Sequence, residues 1–187
     1  MKVFRIRLNS NDFQSFLPVD SKVWETDALK MDCKRMLAAW KPPAVYIYNP
    51  KLKQGSFLHL CSGAFVVDSF ACEVLRTILE IAGEILPLPH QDSVFHLINV
   101  LECVNCLDQE NTKWVFGKTT NAKIRIKEYH FHADRFSEST LFKIPETAMG
   151  EVLTVSGIKD PGDEFKSVVE REGLQGILFE EVWSDSR

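Results

Sequence analysis

Residues 94–104 read Val94-Phe95-His96-Leu97-Ile98-Asn99-Val100-Leu101-Glu102-Cys103-Val104. This run decides the fold. It is mostly apolar at both odd and even positions, and strand side chains alternate between faces. A strand apolar on both faces lies inside a sheet. The run therefore predicts a central strand, and the rest of the chain is read outward from it.

Upstream, Val74, Leu75, Ile78, Leu79 and Ala82 recur at helical spacing, which predicts a helix over 70–82. Ser69 is its expected N-cap and Gly83 its expected left-handed stop. Pro87 and Pro89 then forbid any helical continuation. Downstream, 112–116 and 123–128 read as successive antiparallel strands. In the second, Ile124 and Ile126 are expected to face in while Lys123, Arg125 and Lys127 face out. Short strands are expected at 141–144 and 152–155. A second helix is expected over 164–172, capped by Asp163 and stopped by Gly173. A last strand is expected over 176–183.

The N-terminal side is more broken. Phe4, Ile6 and Leu8 alternate with Arg5 and Arg7, a half-buried strand over 3–8. Residues 10–30 read as loop. Residues 28–39 suit a short helix that Pro42 and Pro43 must end. Residues 45–48, 57–60 and 65–67 read as strands, with Ser62 and Gly63 as a turn. The fold class is α+β: a mixed, mainly antiparallel sheet packed by two or three helices. One domain over 1–187 is expected, with 1–55 its most loosely attached part.

The chain has 187 residues, 45% hydrophobic and 26% charged, with a net charge of −4. That is enough chain to bury a sizeable core without staples. The acidic balance argues against a nucleic-acid partner. The basic run 118–127 reads as a solvated strand face. No run reaches the length of a membrane span, and residues 1–5 lack a signal-peptide pattern. A cytoplasmic location is expected, and the five irregularly spaced cysteines read as reduced thiols.

Motif chemistry is sparse. Cys103 and Cys106 form a lone C-x-x-C, but a structural zinc site needs four ligands. Strand residues three apart also point to opposite faces. His96, or His130 with His132, would have to complete the set, and buried free thiols are the better reading. His96 with Glu102 suits a structural pair more than a catalytic dyad. Glu138 and Glu146 do not form paired acid–base carboxylates. Ser137 and Ser139 have no nucleophile elbow, and the nine glycines form no phosphate loop. No metal or cofactor is expected, and no catalysis. Trp40, Trp114, Trp183, Tyr46 and Tyr48 are candidate partner anchors, although most aromatics in such a domain are core.

Four blocks carry a resemblance. They are Leu86-Pro87-Leu88-Pro89-His90, Asn99-Val100-Leu101-Glu102-Cys103, the stretch from Ser137 to Thr147 (Ser-Glu-Ser-Thr-Leu-Phe-Lys-Ile-Pro-Glu-Thr), and Gly173-Leu174-Gln175-Gly176 with Phe179-Glu180-Glu181-Val182-Trp183. In this order they resemble the immunity-protein eleven family of bacterial polymorphic-toxin systems. The resemblance is strongest over 84–183. It implies a cytoplasmic protein encoded beside a toxin delivered by a type VI or contact-dependent apparatus. The implied role is neutralisation of that toxin by direct binding, without catalysis, nucleic acid or membrane. It brings no family-wide binding residues. From the residues themselves, Glu180, Glu181 and Asp185 are candidate partner contacts for a basic toxin. The competing readings are a metal-dependent or hydrolytic enzyme built on the Cys/His residues, and a regulatory adaptor domain.

Overall fold

The computed structural model describes residues 1–185. It is an α+β fold with antiparallel strand ladders and two α-helices. The first sheet has the order β10-β11-β1-β12, made of Leu141–Phe142, Leu153–Ser156, Lys2–Leu8 and Ile177–Ser184. The second has the order β4-β5-β7-β6, made of Phe57–Leu58, Ala64–Val67, Ser93–Val100 and Gly83–His90. Two two-stranded ladders complete the set: β2 (Ser15–Pro18) with β3 (Val45–Tyr48), and the hairpin of β8 (Lys113–Phe116) with β9 (Lys123–Glu128). The mainly antiparallel α+β class is as expected, with the strands divided among two four-stranded sheets and these two ladders.

The apolar run is explained by β7. It lies between β5 and β6, and both its faces are covered. Ile98 and Val100 face helix α1 (Ser69–Ala82) and helix α2 (Phe165–Arg171), in a core with Leu75, Leu79, Phe65 and Phe165. Phe95 and Leu97 face the other way, into a second core with Phe16, Leu29, Met31 and Val45. A third core lies on the opposite face of the first sheet, where Val3, Leu153 and Val155 meet Cys106, Phe131 and Ile126. The strand stops at Val100, short of the expected 104, because Leu101 and Glu102 both give their N–H groups to the Ala82 carbonyl.

Residues 1–55 supply β1, an inner strand of the first sheet, and Phe16, which is fully buried in the second core. The helix expected over 28–39 does not form. Two 3₁₀ turns, Asp27–Leu29 and Leu37–Ala39, stand there instead. The reason is tertiary. The buried Glu84 carboxylate accepts from the Met36 and Leu37 N–H groups, at 2.7 and 3.3 Å, so no helical ladder can claim them. Cys33, with φ of 64°, breaks the path between the turns. The expected loop over 10–30 contains β2.

Both expected helix caps shift. The Asp68 carboxylate takes the Ala71 N–H at 2.7 Å and caps α1, while the Ser69 hydroxyl donates to the Val94 carbonyl. Gly83 is extended, with φ of 173°, and starts β6 directly. Glycine is needed there because a Cβ would collide with the Asn99 carbonyl. The strand β6 went unread because of its two prolines. They sit on an edge strand, where no ladder bond is lost outward. At α2 it is Thr140 Oγ1, not Asp163, that accepts the Phe165 N–H, at 3.2 Å. Gly173, with φ of 64°, ends α2 as expected.

Candidate functional site

The best-formed cleft, about 570 Å³, opens between β1 and β12 on one side and the turn between β4 and β5 on the other. Arg5 is its charged centre. The β1–β12 register sets Arg5 opposite Glu180. Arg5 Nη2 donates to both Glu180 oxygens at 2.8 and 2.9 Å, and Nη1 donates to Glu151 at 3.0 Å. Tyr129 donates its hydroxyl to the second Glu151 oxygen at 2.5 Å. Arg5, expected to face solvent, is mostly buried by these partners. Burial disfavours the Arg5 charge, but the hydrogen bonds to Glu180 and Glu151 more than offset that and hold its pKa raised. Both carboxylates are thus occupied by one guanidinium.

His59 lines the same cleft, and burial lowers its pKa, so it is neutral at pH 7. Below the cleft floor, at Cys61 and Gly63, lies the fully buried Lys143. Its Nζ donates to the Met31 carbonyl at 2.7 Å. Desolvation lowers the Lys143 pKa, while Cys33, Cys61 and Cys103 act in the opposite direction. Sequence reading missed this lysine. The signal was available, since Lys143 interrupts the apolar run Leu141-Phe142-Lys143-Ile144.

The C-x-x-C does not converge. Cys103 is exposed, whereas Cys106 is buried in the third core. His130 Nε2 lies 3.1 Å from Glu128, and the His132 N–H goes to the Cys106 carbonyl. β9 ends at Glu128, so the two imidazoles do not share a strand. Glu102 lies beyond β7 and shares no strand face with His96. Among the described residues, no group of three or more His, Cys, Asp or Glu side chains is arranged to hold a metal ion.

The candidate partner residues lie along β12 and just beyond it. Glu180 is bound by Arg5, and Glu181 pairs with Lys2 at 2.7 Å, though both remain nearly half exposed. The Asp185 N–H donates to the Met1 carbonyl at 3.0 Å. Trp40 is spoken for by the Pro87 carbonyl, at 2.8 Å, and Trp183 by the rings of Phe131 and Phe136. Tyr46 and Tyr48 stay exposed.

The β8–β9 hairpin is the outlying surface. It carries Lys113, Lys118, Lys123, Arg125 and Lys127 with no acidic residue between Lys113 and Lys127. Lys113 pairs with Glu128. The other four have no carboxylate partner among the described residues. Lys123 sits 4.4 Å over the Trp114 ring. Phe116 and Ile124 are exposed, at 47% and 65%. Ile124 was expected to face in with Ile126. A bulge leaves it unpaired where the hairpin has passed the edge of the core, so only Ile126 is covered. No family model and no curated protein matches the chain.

Proposed function

We propose that this protein is an immunity protein that binds a cognate bacterial toxin and neutralises it by direct contact, without catalysis. The four sequence blocks that resemble the immunity-protein eleven family support the reading. The observation that carries it is the β8–β9 hairpin. Apart from Trp114, Val115 and Ile126 its strand side chains are exposed, it pairs with no other strand in a sheet, and it combines unpaired cations with the exposed Phe116 and Ile124. A two-stranded ribbon of this kind gains little stability from standing in water. Phe116 and Arg125 are of residue types enriched at protein interfaces, and the lysines around them supply a positive field that steers an acidic surface toward the hairpin. The reading places the hairpin on an acidic or mixed-charge surface of the toxin. No helix among the described residues is long and apolar enough to cross a membrane. A cytoplasmic site of action remains part of the proposal.

The test is co-purification with the product of the adjacent upstream gene, followed by titration calorimetry. Saturable one-to-one binding, with rescue of cells that express the toxin, is the expected result. Failure of both binding and rescue would overturn the reading.

A further inference from the structure

Three of the strands that end a sheet or ladder run to six residues or more: β6, β12 and β9. An outer strand turns a row of N–H and C=O groups away from its neighbour, a template for one more strand. Two of these edges are answered from within the chain. β6 carries Pro87 and Pro89, which have no N–H to give, and the Trp40 indole takes the Pro87 carbonyl at 2.8 Å. β12 carries Glu180 and Glu181, whose charges are met by Arg5 and Lys2 at 2.8 and 2.7 Å. β9 differs on both counts. It pairs with β8 alone, and among the described residues no group bonds its main chain from the other side. Five of its six residues are exposed, and only Ile126 is buried. Lys123, Arg125 and Lys127 follow one another at every second position, and none has a carboxylate partner among the described residues. The Lys123 amine rests over the Trp114 ring, and Ile124 stands in solvent at 65% exposure.

We propose that β9 takes up an extended acidic segment of the toxin as a third strand, so that recognition runs through the main chain as well as the side chains. The proposal rests on the toxin-binding reading and adds to it a binding mode and a partner chemistry. A segment paired along the whole of β9 spans ~20 Å. Asp or Glu residues along it meet Lys123, Arg125 and Lys127, and an apolar residue among them covers Ile124. Main-chain hydrogen bonds then supply affinity, and the side chains choose the partner. A third strand also stabilises a ribbon that two strands leave marginal. The cations select in the negative sense too. Two copies of β9 brought edge to edge would oppose like charges, so the edge is guarded against self-pairing while an acidic strand is admitted. The exposed β12 edge lacks this selectivity, because its carboxylates are already neutralised by β1.

The test is residue-resolved amide hydrogen exchange on the full-length wild-type protein, free and saturated with the product of the adjacent upstream gene. In the free protein the β9 amides that face away from β8 should exchange readily. In the complex they should slow by roughly tenfold or more, so that both alternating sets of β9 amides become protected. The amides of β12 should keep their rates. Exchange measured on the toxin identifies its docked segment, which should become protected over a run rich in Asp and Glu. A complex whose β9 amides exchange as in the free protein would overturn strand addition and leave toxin binding standing, since the hairpin would then dock by side chains alone. Protection of the β12 edge in place of β9, or a docked toxin segment that is neutral or basic, would overturn it as well. Absence of any complex would overturn the toxin-binding reading and this proposal with it.

Discussion

Arg5 and Glu180 face each other across β1 and β12 in a two-pronged pair, with Arg5 Nη2 2.8 and 2.9 Å from the carboxylate oxygens. Arg5 Nη1 meanwhile holds Glu151, so one guanidinium ties β1 to β12 and to the residue two before β11. Arg5→Leu leaves Glu151 with Tyr129 as its remaining partner and should lower stability by roughly 1–3 kcal/mol. Glu180→Gln, at a half-exposed site, should cost less than about 1 kcal/mol. Urea unfolding of both variants checks the ranking. Equal costs would contradict it.

Lys143 should behave as a desolvated charge that stabilises nothing by itself. Lys143→Met keeps the volume and removes the buried charge, so stability should hold or rise. Lys143→Ala opens a cavity and should cost about 2–4 kcal/mol. Thermal unfolding of the pair separates volume from charge.

Backbone approaches most closely at two of the glycines. A Cβ at Gly176, whose φ is 98°, would run into the Phe57 carbonyl, and one at Gly83 into that of Asn99. Each Gly→Ala change should cost about 2–4 kcal/mol. Gly162, with nothing within 4 Å, is the matched control and should tolerate alanine. Melting curves of the three variants decide it.

Stability should fall on both sides of neutrality, for opposite reasons. The His59 pKa is lowered in the fold by burial. Below its ordinary 6.5 the unfolded chain takes up the proton first, so stability drops as pH falls through that value. The Cys61 thiol is raised from 9.0 to about 12. Between those values the unfolded chain has ionised and the folded one has not, so stability drops as pH rises above 9.0. Denaturant titrations from pH 5 to pH 10, on wild type, His59→Gln and Cys61→Ala, test both limbs (pH window of about five units by the same linkage). Each variant should make one limb shallower and leave the other, with His96 keeping part of the acid limb and Cys106 part of the alkaline one.

Charge reversal on the hairpin separates folding from recognition. Arg125→Glu with Lys127→Glu changes exposed side chains without carboxylate partners, so the melting temperature should stay within the small range typical of surface changes. Toxin binding should weaken at least tenfold and lose much of its salt dependence, read by calorimetry at two ionic strengths.

The sequence was most legible where local pattern and tertiary environment agreed. The apolar positions of 70–82 made α1, and the run at 94–104 marked the central strand. Reading failed where a distant side chain captured backbone groups. Glu84 took the N–H groups that a helix over 28–39 would have needed, and Thr140 displaced Asp163 as the cap of α2. Those partners are 48 and 25 residues away, beyond any local rule. The block from Ser137 to Thr147 held no motif chemistry, yet it has dense structural duties. Thr140 caps a helix, Leu141 and Phe142 enter different cores, and Lys143 lies under the cleft. The Arg5 cluster was not legible, because Glu151 and Tyr129 lie just outside β11 and β9 and reach Arg5 only once the distant segments have packed together.

The position of β1 has a consequence for synthesis. It precedes every other described strand, yet its ladder partners are residues 153–156 and 177–184. Both its edges therefore stay open during synthesis until those distant residues have been made, and unpaired strand edges invite misassociation. A translation product that stops before residue 177 would present Phe4 and Ile6 on a bare edge. Completion of β12 is thus the step that closes this strand, before any partner is met.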